Sequence, residues 1–566
     1  MKSISFLFLL FLQLVAKGQA ERYAVLIHEI MADPSPVIGL PNTEYIELKN
    51  NSNQAINLFH WKINNGTTTA TINTQFLLQP DSFVIVCSRT QAALFNEPNK
   101  TLGITSFPSI TNEEDIITLQ SAENKTIHSV SFETSWYQDA IKANGGWSLE
   151  MIDPSAPCAP NNWKASTNSK GGSPGFQNSV HGKLKQTTPT RLLQCFALNR
   201  NTLLLSFDTA LDSLSLTHTA NYTFSNSDLS VVQAKALAPL FNEVELKTNA
   251  GLDSNKIYTL TLKDVMSCLG EQKNNFSIKT GLVKLIDKGD LVFNELLFDP
   301  LPGGVDFIEV VNTSNGIVNA KDVYISNRNT DGSINGNADG YLKNFTVFPF
   351  EPVVFTTDTV YVRRNWQNVD PSKLLLVKSL PSMPDDRGNV LLLNPSGVVI
   401  DEVNYALDMH FPLLRNRSGV ALEKIDLSAS SKQKDNWHSA SSSDNYATPT
   451  KENSQRKTTE KNKNWIQVEQ NVLRPGNDGI DNLLQIDYQF ESPGTLLSVY
   501  LFNQQGVQVC KILNNLICGK KGSYNWKGLD NQSNYINTGV YILVSEAFHL
   551  NGMKKRYKKV IGIKRV

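Results

Sequence analysis

One set of short motifs occurs twice in this chain of 566 residues, in the same order both times. The first copy reads HEIMADP at 28–34, EYIEL at 44–48, LEMID at 149–153 and NWKAS at 162–166. The second copy reads NELLFDP at 294–300, DFIEV at 306–310, LEKID at 422–426 and NWHSA at 436–440. Glu29 and Glu295 are 266 positions apart, and Glu150 and Glu423 are 273 positions apart. A nearly constant offset over four motifs predicts two copies of one domain.

Short segments that alternate apolar and polar residues run from Tyr23 onward, separated by Gly, Pro, Asn and Asp. Examples are 44–48, 82–86, 115–119 and 259–262. A period of two is typical of half-buried strands, and no twelve-residue window carries a capped helical stripe. We therefore predict an all-β fold class, with β-sandwiches as the form.

The order of the repeated motifs, followed by a closing S-P-G, resembles the lamin-tail domain. That family is an immunoglobulin-like β-sandwich found in nuclear lamins and in many secreted bacterial proteins. The resemblance covers about 21–180 and 288–455 and implies tandem immunoglobulin-like β-sandwiches. The first copy ends with GSPG at 172–175, whereas the second has ATPT at 447–450, which departs from the family pattern.

Two further segments resemble other immunoglobulin-like modules. Residues 185–283, with LLLSFD at 203–208 and KIYTLTL at 256–262, are similar to bacterial spacer modules. Residues 471–566, with YNWKG at 524–528, are similar to C-terminal modules of secreted Bacteroidota proteins, which commonly serve type IX secretion and surface attachment. The resemblance implies a sorting or anchoring role, although the loop at 475–482 has an inserted Gly and a reversed Asp-Asn pair. Few apolar residues occur over 440–470, so we predict a flexible linker, placed at 456–470.

The first 20 residues have the pattern of a secretory signal peptide. Lys2 precedes an apolar run at 4–15, and small residues end the segment at Gly18 and Ala20. The run of about 12 residues is shorter than the roughly 20 needed to cross a bilayer as a helix. An uncleaved anchor is the alternative. We expect a secreted or cell-surface protein, on the outer-membrane face, whose mature chain has no transmembrane segment.

Six cysteines are distributed two, two and two among three of the four predicted modules. An exported protein can form disulfides, and six cysteines allow 15 pairings. We favour pairing within modules, with free buried thiols as the alternative for each pair. The predicted pairs are Cys87 with Cys158, Cys195 with Cys268, and Cys510 with Cys518.

The usual catalytic spacings do not occur. The sequence has no C-x-x-C, no H-E-x-x-H and no P-loop. A G-x-S-x-G motif at 171–175 centres on Ser173, but a nucleophile elbow needs a strand before it and a helix after it, and loop residues precede this one. We therefore predict that the chain is not an enzyme, with no catalytic and no cofactor-binding residues.

Paired carboxylates recur in both copies, as Glu29 with Glu47 and Glu295 with Glu309. Two converging carboxylates would suit general acid–base chemistry or Ca²⁺. We favour a structural role in which Glu29 and Glu295 accept hydrogen bonds from loop backbone, because buried polar groups need partners. His28 adjoins Glu29, and on a regular strand their side chains would point to opposite faces.

A weak Ca²⁺ candidate lies near the start of the last module. Asn477, Asp478 and Asp481 place oxygen ligands around a Gly turn but lack the bidentate Glu of an EF-hand. We expect no other metal or cofactor.

Tryptophans are frequent in the first copy, at Trp61, Trp136, Trp147 and Trp163. Trp136 lies in a loop-like stretch and could form a stacking platform for sugars, whereas sandwiches routinely bury one or two Trp. We favour the core for these residues, most of all for Trp147 and Trp163.

The net charge of the chain limits the classes of partner that it can bind. Lys+Arg and Asp+Glu both number 53, and removal of residues 1–20 leaves a net charge of −2, so there is no basic excess to neutralise phosphates. We predict an exported non-enzymatic surface or secreted protein that acts in binding, adhesion or display, with an unidentified extracellular glycan or protein as ligand. The alternatives are an accessory role in extracellular hydrolysis of nucleic acid or polysaccharide, and DNA binding by the lamin-tail copies. A basic end could face lipopolysaccharide or a secretion component; it comprises Lys554, Lys555, Arg556, Lys558, Lys559, Lys564 and Arg565.

Overall fold

The structure is a computed structural model that describes residues 20–184, 189–225, 228–270, 273–336, 338–457, 465–476 and 482–565. Residues 1–19 of the predicted signal peptide and the Ca²⁺ candidates Asn477, Asp478 and Asp481 lie outside the described residues. Strands dominate the described part, so the predicted all-β fold class is confirmed. Only two short α-helices occur in these ranges, α1 (Ser213–Thr217) and α2 (Thr359–Asn365), and no helix there is long and apolar enough to cross a membrane.

The chain divides into two compact units, which are described separately. Unit 1 comprises residues 1–195, 201–250 and 259–278, and unit 2 comprises residues 196–200, 251–258 and 279–566.

The first sandwich, in unit 1, has a six-stranded sheet in the order β12-β11-β1-β2-β7-β8, a four-stranded sheet in the order β10-β9-β4-β5, and the pair β3-β6. Every pairing is antiparallel except that of β7 with β8. The strands are β1 (Val25–Met31), β2 (Tyr45–Asn50), β3 (Ile56–Asn57), β4 (Lys62–Asn64), β5 (Thr69–Thr71), β6 (Leu77–Leu78), β7 (Phe83–Ser88), β8 (Thr101–Ile104), β9 (Glu114–Gln120), β10 (Thr126–Glu133), β11 (Leu149–Met151) and β12 (Trp163–Ala165).

Strands β1 and β2 are buried on both faces. On one face, Ile30, Ile46 and Leu48 join the apolar core between the two sheets. The other face carries Glu29 and Glu47 and is covered by the chain after β12. The two strands therefore lack the polar-out alternation of a solvent-facing sheet.

The second sandwich follows, and most of it belongs to unit 1. There β14 pairs with β17, β17 with β16, and β15 with β18, all antiparallel. The strands are β13 (Leu192–Asn199), β14 (Thr202–Phe207), β15 (Tyr222–Ser225), β16 (Val231–Ala236), β17 (Glu243–Thr248), β18 (Tyr258–Met266) and β19 (Lys273–Thr280).

The third sandwich, in unit 2, repeats the topology of the first. Its sheets run β27-β26-β21-β20-β30-β31 and β24-β23-β28-β29, with the pair β22-β25 and a parallel β26–β27 pairing. The strands are β20 (Leu291–Leu297), β21 (Phe307–Asn312), β22 (Val318–Asn319), β23 (Tyr324–Ser326), β24 (Asp339–Gly340), β25 (Thr346–Val347), β26 (Pro352–Thr356), β27 (Leu374–Leu376), β28 (Arg387–Leu393), β29 (Val399–Ala406), β30 (Leu422–Lys424) and β31 (Trp437–Ser439). Each of the twelve strands corresponds, in order, to a strand of the first sandwich.

The C-terminal sandwich, also in unit 2, has sheets in the orders β32-β34-β37 and β33-β39-β38-β35-β36. The strands are β32 (Ile466–Gln467), β33 (Val472–Leu473), β34 (Leu484–Gln489), β35 (Thr495–Phe502), β36 (Gln508–Cys518), β37 (Lys521–Trp526), β38 (Gly539–Phe548) and β39 (Lys554–Ile563). Single-turn 3₁₀ helices elsewhere in the described chain are Ala92–Phe95, Thr134–Tyr137, Lys142–Asn144, Thr219–Asn221, Ala320–Asp322, Pro371–Lys373, Leu407–Met409, Lys434–Asn436 and Ser442–Asp444.

The stretch 440–457 is part of the fold, contrary to the prediction that the polar composition over 440–470 makes a flexible linker. Ser441 and Gln455 are fully buried. Gln455 Nε2 donates to the carbonyl oxygens of Ser439 (3.1 Å) and Cys518 (3.3 Å), so it joins the third sandwich to the C-terminal sandwich. Polar side chains can fill an interior when hydrogen bonds satisfy them, which composition alone does not reveal. Of the proposed linker 456–470, residues 458–464 lie outside the described residues.

Candidate functional site

Three glutamates lie side by side in the larger sheet of the first sandwich. Glu29 on β1 pairs in register with Glu47 on β2 and with Glu150 on β11. All three are fully buried. The sequence motifs showed the three positions separately, and the strand order brings them into one row.

The chain after β12 supplies hydrogen-bond donors to this row; we call residues 172–180 the first closing segment. Ser173 N donates to Glu29 Oε1 at 2.9 Å, and Gly175 N donates to Glu47 Oε2 at 2.5 Å. Ser173 Oγ donates to Glu150 Oε1 at 2.7 Å. The glutamates thus anchor the closing segment to the sheet.

The third sandwich contains the same arrangement, with Glu295, Glu309 and Glu423 fully buried in register. Its closing segment is 447–455. Thr448 N donates to Glu295 Oε1 at 2.9 Å, and Thr448 Oγ1 donates to Glu423 Oε1 at 2.7 Å. The ATPT segment therefore donates hydrogen bonds to the buried glutamates as the GSPG segment does, although its sequence departs from the family pattern. The prediction that Glu29 and Glu295 accept hydrogen bonds from loop backbone is confirmed.

A β-bulge at His28 changes the expected direction of a side chain. The β1–β2 register shifts between Ile27 and Glu29, and His28 Nδ1 lies 3.0 Å from Glu47 Oε1 in a hydrogen bond. The expectation that His28 and Glu29 point to opposite faces is wrong, because a bulge breaks the alternation of side chains. The third sandwich has the same shift, between Phe293 and Glu295.

Burial shifts the pKa values of most glutamates in the two rows toward the protonated form. It raises the pKa of Glu29 to about 7, with the charge of Glu150 as the next cause, and it raises the pKa of Glu309 to about 8. The pKa values of Glu47 and Glu295 are raised well above the usual range, first by burial and then by the neighbouring glutamates. Burial lowers the pKa of His28 to about 3, so its contact with Glu47 is a hydrogen bond between neutral groups and not an ion pair.

Each carboxyl row accepts hydrogen bonds from the closing segment beside it. Across the described ranges, no group of three or more His, Cys, Asp and Glu side chains is placed to hold a metal ion. Ser173, the centre of the G-x-S-x-G motif, is 5% exposed, and its hydroxyl is bonded to a carboxyl group instead of a histidine.

The disulfide in the structure joins Cys158 to Cys268, with their Cα atoms 6.6 Å apart. The predicted pairs Cys87–Cys158 and Cys195–Cys268 are wrong. Cys158 follows β11 of the first sandwich and Cys268 follows β18 of the second, so the bond links two modules of unit 1. Cys87 lies instead on the inner strand β7, packed with Met31 and Tyr45.

The predicted pair Cys510–Cys518 is also wrong. Both residues lie on one strand, β36, eight residues apart. Their partners on β35, Leu501 and Thr495, are six residues apart, and an extended strand rises about 3.3 Å per residue. The two Cα atoms are therefore separated by roughly three times the distance that a disulfide spans. The assumption of a hairpin turn between them failed because the strand runs through both.

Arg22 also links the first and second sandwiches within unit 1. Its guanidinium lies over the ring of Tyr23 (4.7 Å to the centroid) and over that of Phe241 (4.4 Å). Its terminal nitrogens donate to the carbonyl oxygens of Leu211 and Leu240, at 3.2 and 3.4 Å. Together with the disulfide, these contacts hold the two sandwiches against each other.

A cleft of about 680 Å³ opens between these two sandwiches. One wall is the strand β10 with Trp136 and Gln138 after it, and the opposite wall is formed by 208–210 with Leu240 and Asn242. The disulfide partner Cys158 and Arg22 lie in its lining. The Cys158–Cys268 bond and the contacts of Arg22 therefore join the two sandwiches beside the cleft.

The tryptophans of the first sandwich differ in how far their side chains are buried. Trp163 is 5% exposed and belongs to the apolar core, as predicted. Trp147 is half-buried, with Lys142 Nζ 4.2 Å from its ring centroid. Trp136 is half-buried, lies 6.3 Å from Trp163 between ring centroids, and has its remaining surface in the cleft. Of the residues considered from sequence, Trp136, Trp163 and Cys158 line this cleft, and Trp136 is the less buried of the two tryptophans.

The basic C-terminal end lies largely on strand β39. Lys554, Arg556 and Lys558 alternate along its exposed face. Arg556 pairs with Glu546 at 3.0 Å, and Lys559 Nζ donates to the carbonyl oxygen of Val468. Charged side chains along an outer strand also prevent unwanted pairing with another chain.

The fold and the buried glutamates define an all-β protein built from sandwiches. Residues 19–134 match the family model of the Lamin Tail Domain. This match covers about a fifth of the chain and agrees with the resemblance of the first copy. No curated protein matches the sequence.

Solved structures with partial similarity include the N-terminal part of the bacterial S-layer protein SbsC, at 11% identity over 39% of this chain and 44% of that one, with a TM-score of 0.17. A DUF4876 family protein from Bacteroides thetaiotaomicron matches at 13% identity over 37% of this chain and 84% of that one, also with a TM-score of 0.17. The chain covers about half the length of the SbsC structures that it matches. Similarity at this level supports no functional inference.

Proposed function

We propose that this chain is an exported, non-enzymatic binding protein whose ligand site is the cleft of unit 1. The observation that carries the proposal is a cavity of about 680 Å³ with Trp136 in its wall, beside the Cys158–Cys268 bond and Arg22. A site of this size, lined by the aromatic side chains of Tyr23, Trp136 and Trp163 together with several polar groups, suits an extracellular ligand. Adhesion or display at a cell surface would follow from such binding.

The proposal includes the domain map predicted from sequence. It consists of a signal peptide at 1–20, lamin-tail domains at 21–180 and 288–455, an immunoglobulin-like domain at 185–283 and a C-terminal domain at 471–566. The predicted linker 456–470 is shorter in the structure, because β32 (Ile466–Gln467) already pairs with β34 of the C-terminal sandwich. The matching strand order of the first and third sandwiches supports the two copies. In this proposal the C-terminal domain contacts the secretion or surface-attachment machinery.

The hydrogen bonding and burial of Ser173 and of the paired glutamates support the proposal that the chain is not an enzyme. Ser173 is held by Glu150, and the glutamates of both rows accept hydrogen bonds from the closing segments. These groups lie under the closing segments, away from solvent, so a substrate cannot reach them without unfolding that part of the chain.

The test uses the mature full-length chain against three panels: an array of extracellular glycans, a pool of extracellular peptides, and duplex DNA at stated salt concentrations. We expect saturable binding to a glycan or a peptide that Trp136→Ala weakens about tenfold. Phe176→Ala is the matched control, because Phe176 is an exposed aromatic residue of the same sandwich outside the cleft. Equal loss in both variants, or binding to DNA alone, would contradict the proposal.

An accessory role in hydrolysis is tested with the same protein. A panel of nuclease and polysaccharide substrates should show no turnover by the chain alone. For the sorting role, the native host is fractionated with the full chain and with a chain that lacks 466–566, and protease resistance of the remaining sandwiches is checked. Unchanged surface display of a folded, truncated chain would rule out sorting by the C-terminal domain.

A further inference from the structure

We propose that the ligand of the cleft is an extended polypeptide segment that adds a strand to the free edge of β10. This inference rests on the proposed binding function and names the class of ligand. Strand β10 is the outermost strand of its sheet, paired with β9 on one side only, and its residues 128–131 and Glu133 line the cleft.

The β10–β9 ladder shows which peptide groups face the cleft. Phe132 pairs with Asp115, and Thr134 N donates to the carbonyl oxygen of Glu113 at 2.9 Å. In an antiparallel pair alternate residues bond to the partner strand, so the backbone N–H and C=O groups of Ser129, Ser131 and Glu133 point away from β9. At the bulge between Thr126 and His128, Tyr23 N donates to the carbonyl oxygen of Ile127 at 2.8 Å.

The free edge is a row of donors and acceptors without partners. Beyond the β9 ladder, no hydrogen bond in the described chain involves the backbone of Ser129, Ser131 or Glu133. From 129 to 133 the row extends about 13 Å, enough for a strand of three to five residues. Arg22 Nε, in the lining of the cleft, is a buried donor that also lacks a partner.

The corresponding strand of the third sandwich carries a charged network that β10 lacks. On β29 the position matching Ser129 is Glu402, which pairs with Arg328 at 2.8 Å and with Lys432 at 2.7 Å. Charged side chains of this kind are a usual means of blocking an edge. Strand β10 reads TIHSVSFE, without Lys or Pro, and has the cleft beside it.

A peptide fits this site better than a glycan does. Backbone groups alternating along one line complement another extended backbone, which is the basis of recognition by strand addition. Sugar stacking would need a broad aromatic face, whereas Trp136 is half-buried against Trp163. Trp136 and Gln138 would instead contact alternate side chains of the bound segment.

The first experiment measures binding of a fluorescein-labelled pool of seven-residue peptides, random at alternate positions, to the mature full chain. Hydrogen exchange is followed in parallel, and the backbone amides of Ser129, Ser131 and Glu133 should gain protection when the pool binds. The same pool N-methylated at alternate residues should bind at least tenfold more weakly, since it lacks the donors of one edge. This comparison requires no change in the protein.

The second experiment uses Ser131→Pro, which removes a donor on the free edge and places a ring there. We expect about tenfold weaker peptide binding. The matched control is Asn404→Pro at the corresponding position of β29, which should leave binding unchanged. Circular dichroism and urea unfolding verify that both variants are folded, and the N-methylated pool decides the question if Ser131→Pro does not fold.

The outcomes separate the two proposals. Saturable glycan binding that needs Trp136, with no protection of the β10 amides, would overturn strand addition and leave the cleft as the binding site. Peptide binding that is insensitive to N-methylation would also overturn it. If neither the peptide pool nor the glycan array binds, both proposals fail.

Discussion

Thr450 takes in the third sandwich the backbone position that Gly175 takes in the first. Each donates its amide to a buried glutamate at 2.5 Å, Gly175 to Glu47 and Thr450 to Glu309. Each also has a positive φ, 85° at Gly175 and 67° at Thr450. Glycine adopts this conformation without strain, whereas a β-branched residue does so only where the surroundings enforce it. The hydrogen bond to Glu309 and the one from Asp370 N to Thr450 Oγ1 (2.8 Å) hold Thr450 there.

The first prediction concerns this strain. Thr450→Gly and Thr450→Ala both remove the hydroxyl that accepts from Asp370, but only glycine removes the strain of positive φ. We expect the glycine variant to be about 1 kcal/mol more stable than the alanine variant. Urea unfolding of the full chain measures the difference. In the reverse comparison Gly175→Ala should cost about 1 kcal/mol, and a more stable alanine variant at either position would contradict the argument.

The second prediction is that stability falls as the pH rises above 5. The pKa values of Glu29 and Glu309 are raised in the fold to about 7 and about 8, so each carboxyl holds a proton that the unfolded chain releases near pH 4.5. That stabilisation is complete below pH 4.5 and is lost as the pH passes through 7 and 8. For Glu29 the loss is roughly 3 kcal/mol. His28, with its pKa lowered to about 3, has the opposite effect and is affected only below pH 6.5.

Urea unfolding at a series of pH values from 5 to 9 checks this dependence. Glu29→Gln resembles the protonated carboxyl and keeps an oxygen for Tyr45, Ser148 and Ser173. The variant should therefore have a flatter profile between pH 6 and 8 than the wild type. Glu133→Gln, at an exposed position of the same sandwich, is the control and should follow the wild type. Stability that increases with pH in this range would refute the assignment of neutral carboxyls.

The repeated motifs allowed the architecture to be predicted from the sequence. Paired motifs around Glu29 and Glu295 predicted two similar sandwiches, and the need of buried carboxyls for partners predicted loop donors. The bulge at His28 was not predictable, because a one-residue insertion in a strand leaves no mark in a pattern of period two. The positive φ of Thr450 was also not predicted, because a threonine gives no indication of this backbone conformation, whereas Gly175 at the matching position does.

The disulfide pairing and the cleft could not be predicted from the sequence either, because both depend on contacts between modules. Assigning cysteines to modules was sound, but pairing them within modules assumed that Cys158 faces its own sandwich. Contacts between modules depend on surfaces that no local pattern describes. The free edge of β10 likewise becomes a candidate site only when the cavity beside Trp136 is known.

The third prediction concerns the disulfide. Peptide mapping without reduction should give one crosslinked pair, Cys158 with Cys268, and no crosslinked peptide containing Cys510 and Cys518. Cys268→Ser opens a loop closed over 110 residues and should destabilise unit 1 by about 5 kcal/mol on the chain-entropy estimate. Dithiothreitol should lower the unfolding midpoint of the wild type and leave that of the variant unchanged. A reductant effect of equal size in both proteins would show that another bond is responsible.

The fourth prediction separates a structural Ser173 from a nucleophile. Ser173 Oγ donates to Glu150 Oε1 at 2.7 Å and accepts from Ser179 N at 3.2 Å, so Ser173→Ala deprives a buried carboxyl of a donor and should cost about 2 kcal/mol. Ser173→Thr should retain most of that stability, because Thr448 occupies the matching position and bonds to Glu423 in the same way. Urea unfolding and ester and peptide hydrolysis are measured for all three proteins. Hydrolysis by the wild type that disappears in Ser173→Ala without a change in stability would identify Ser173 as a catalytic residue, against the geometry of the closing segment.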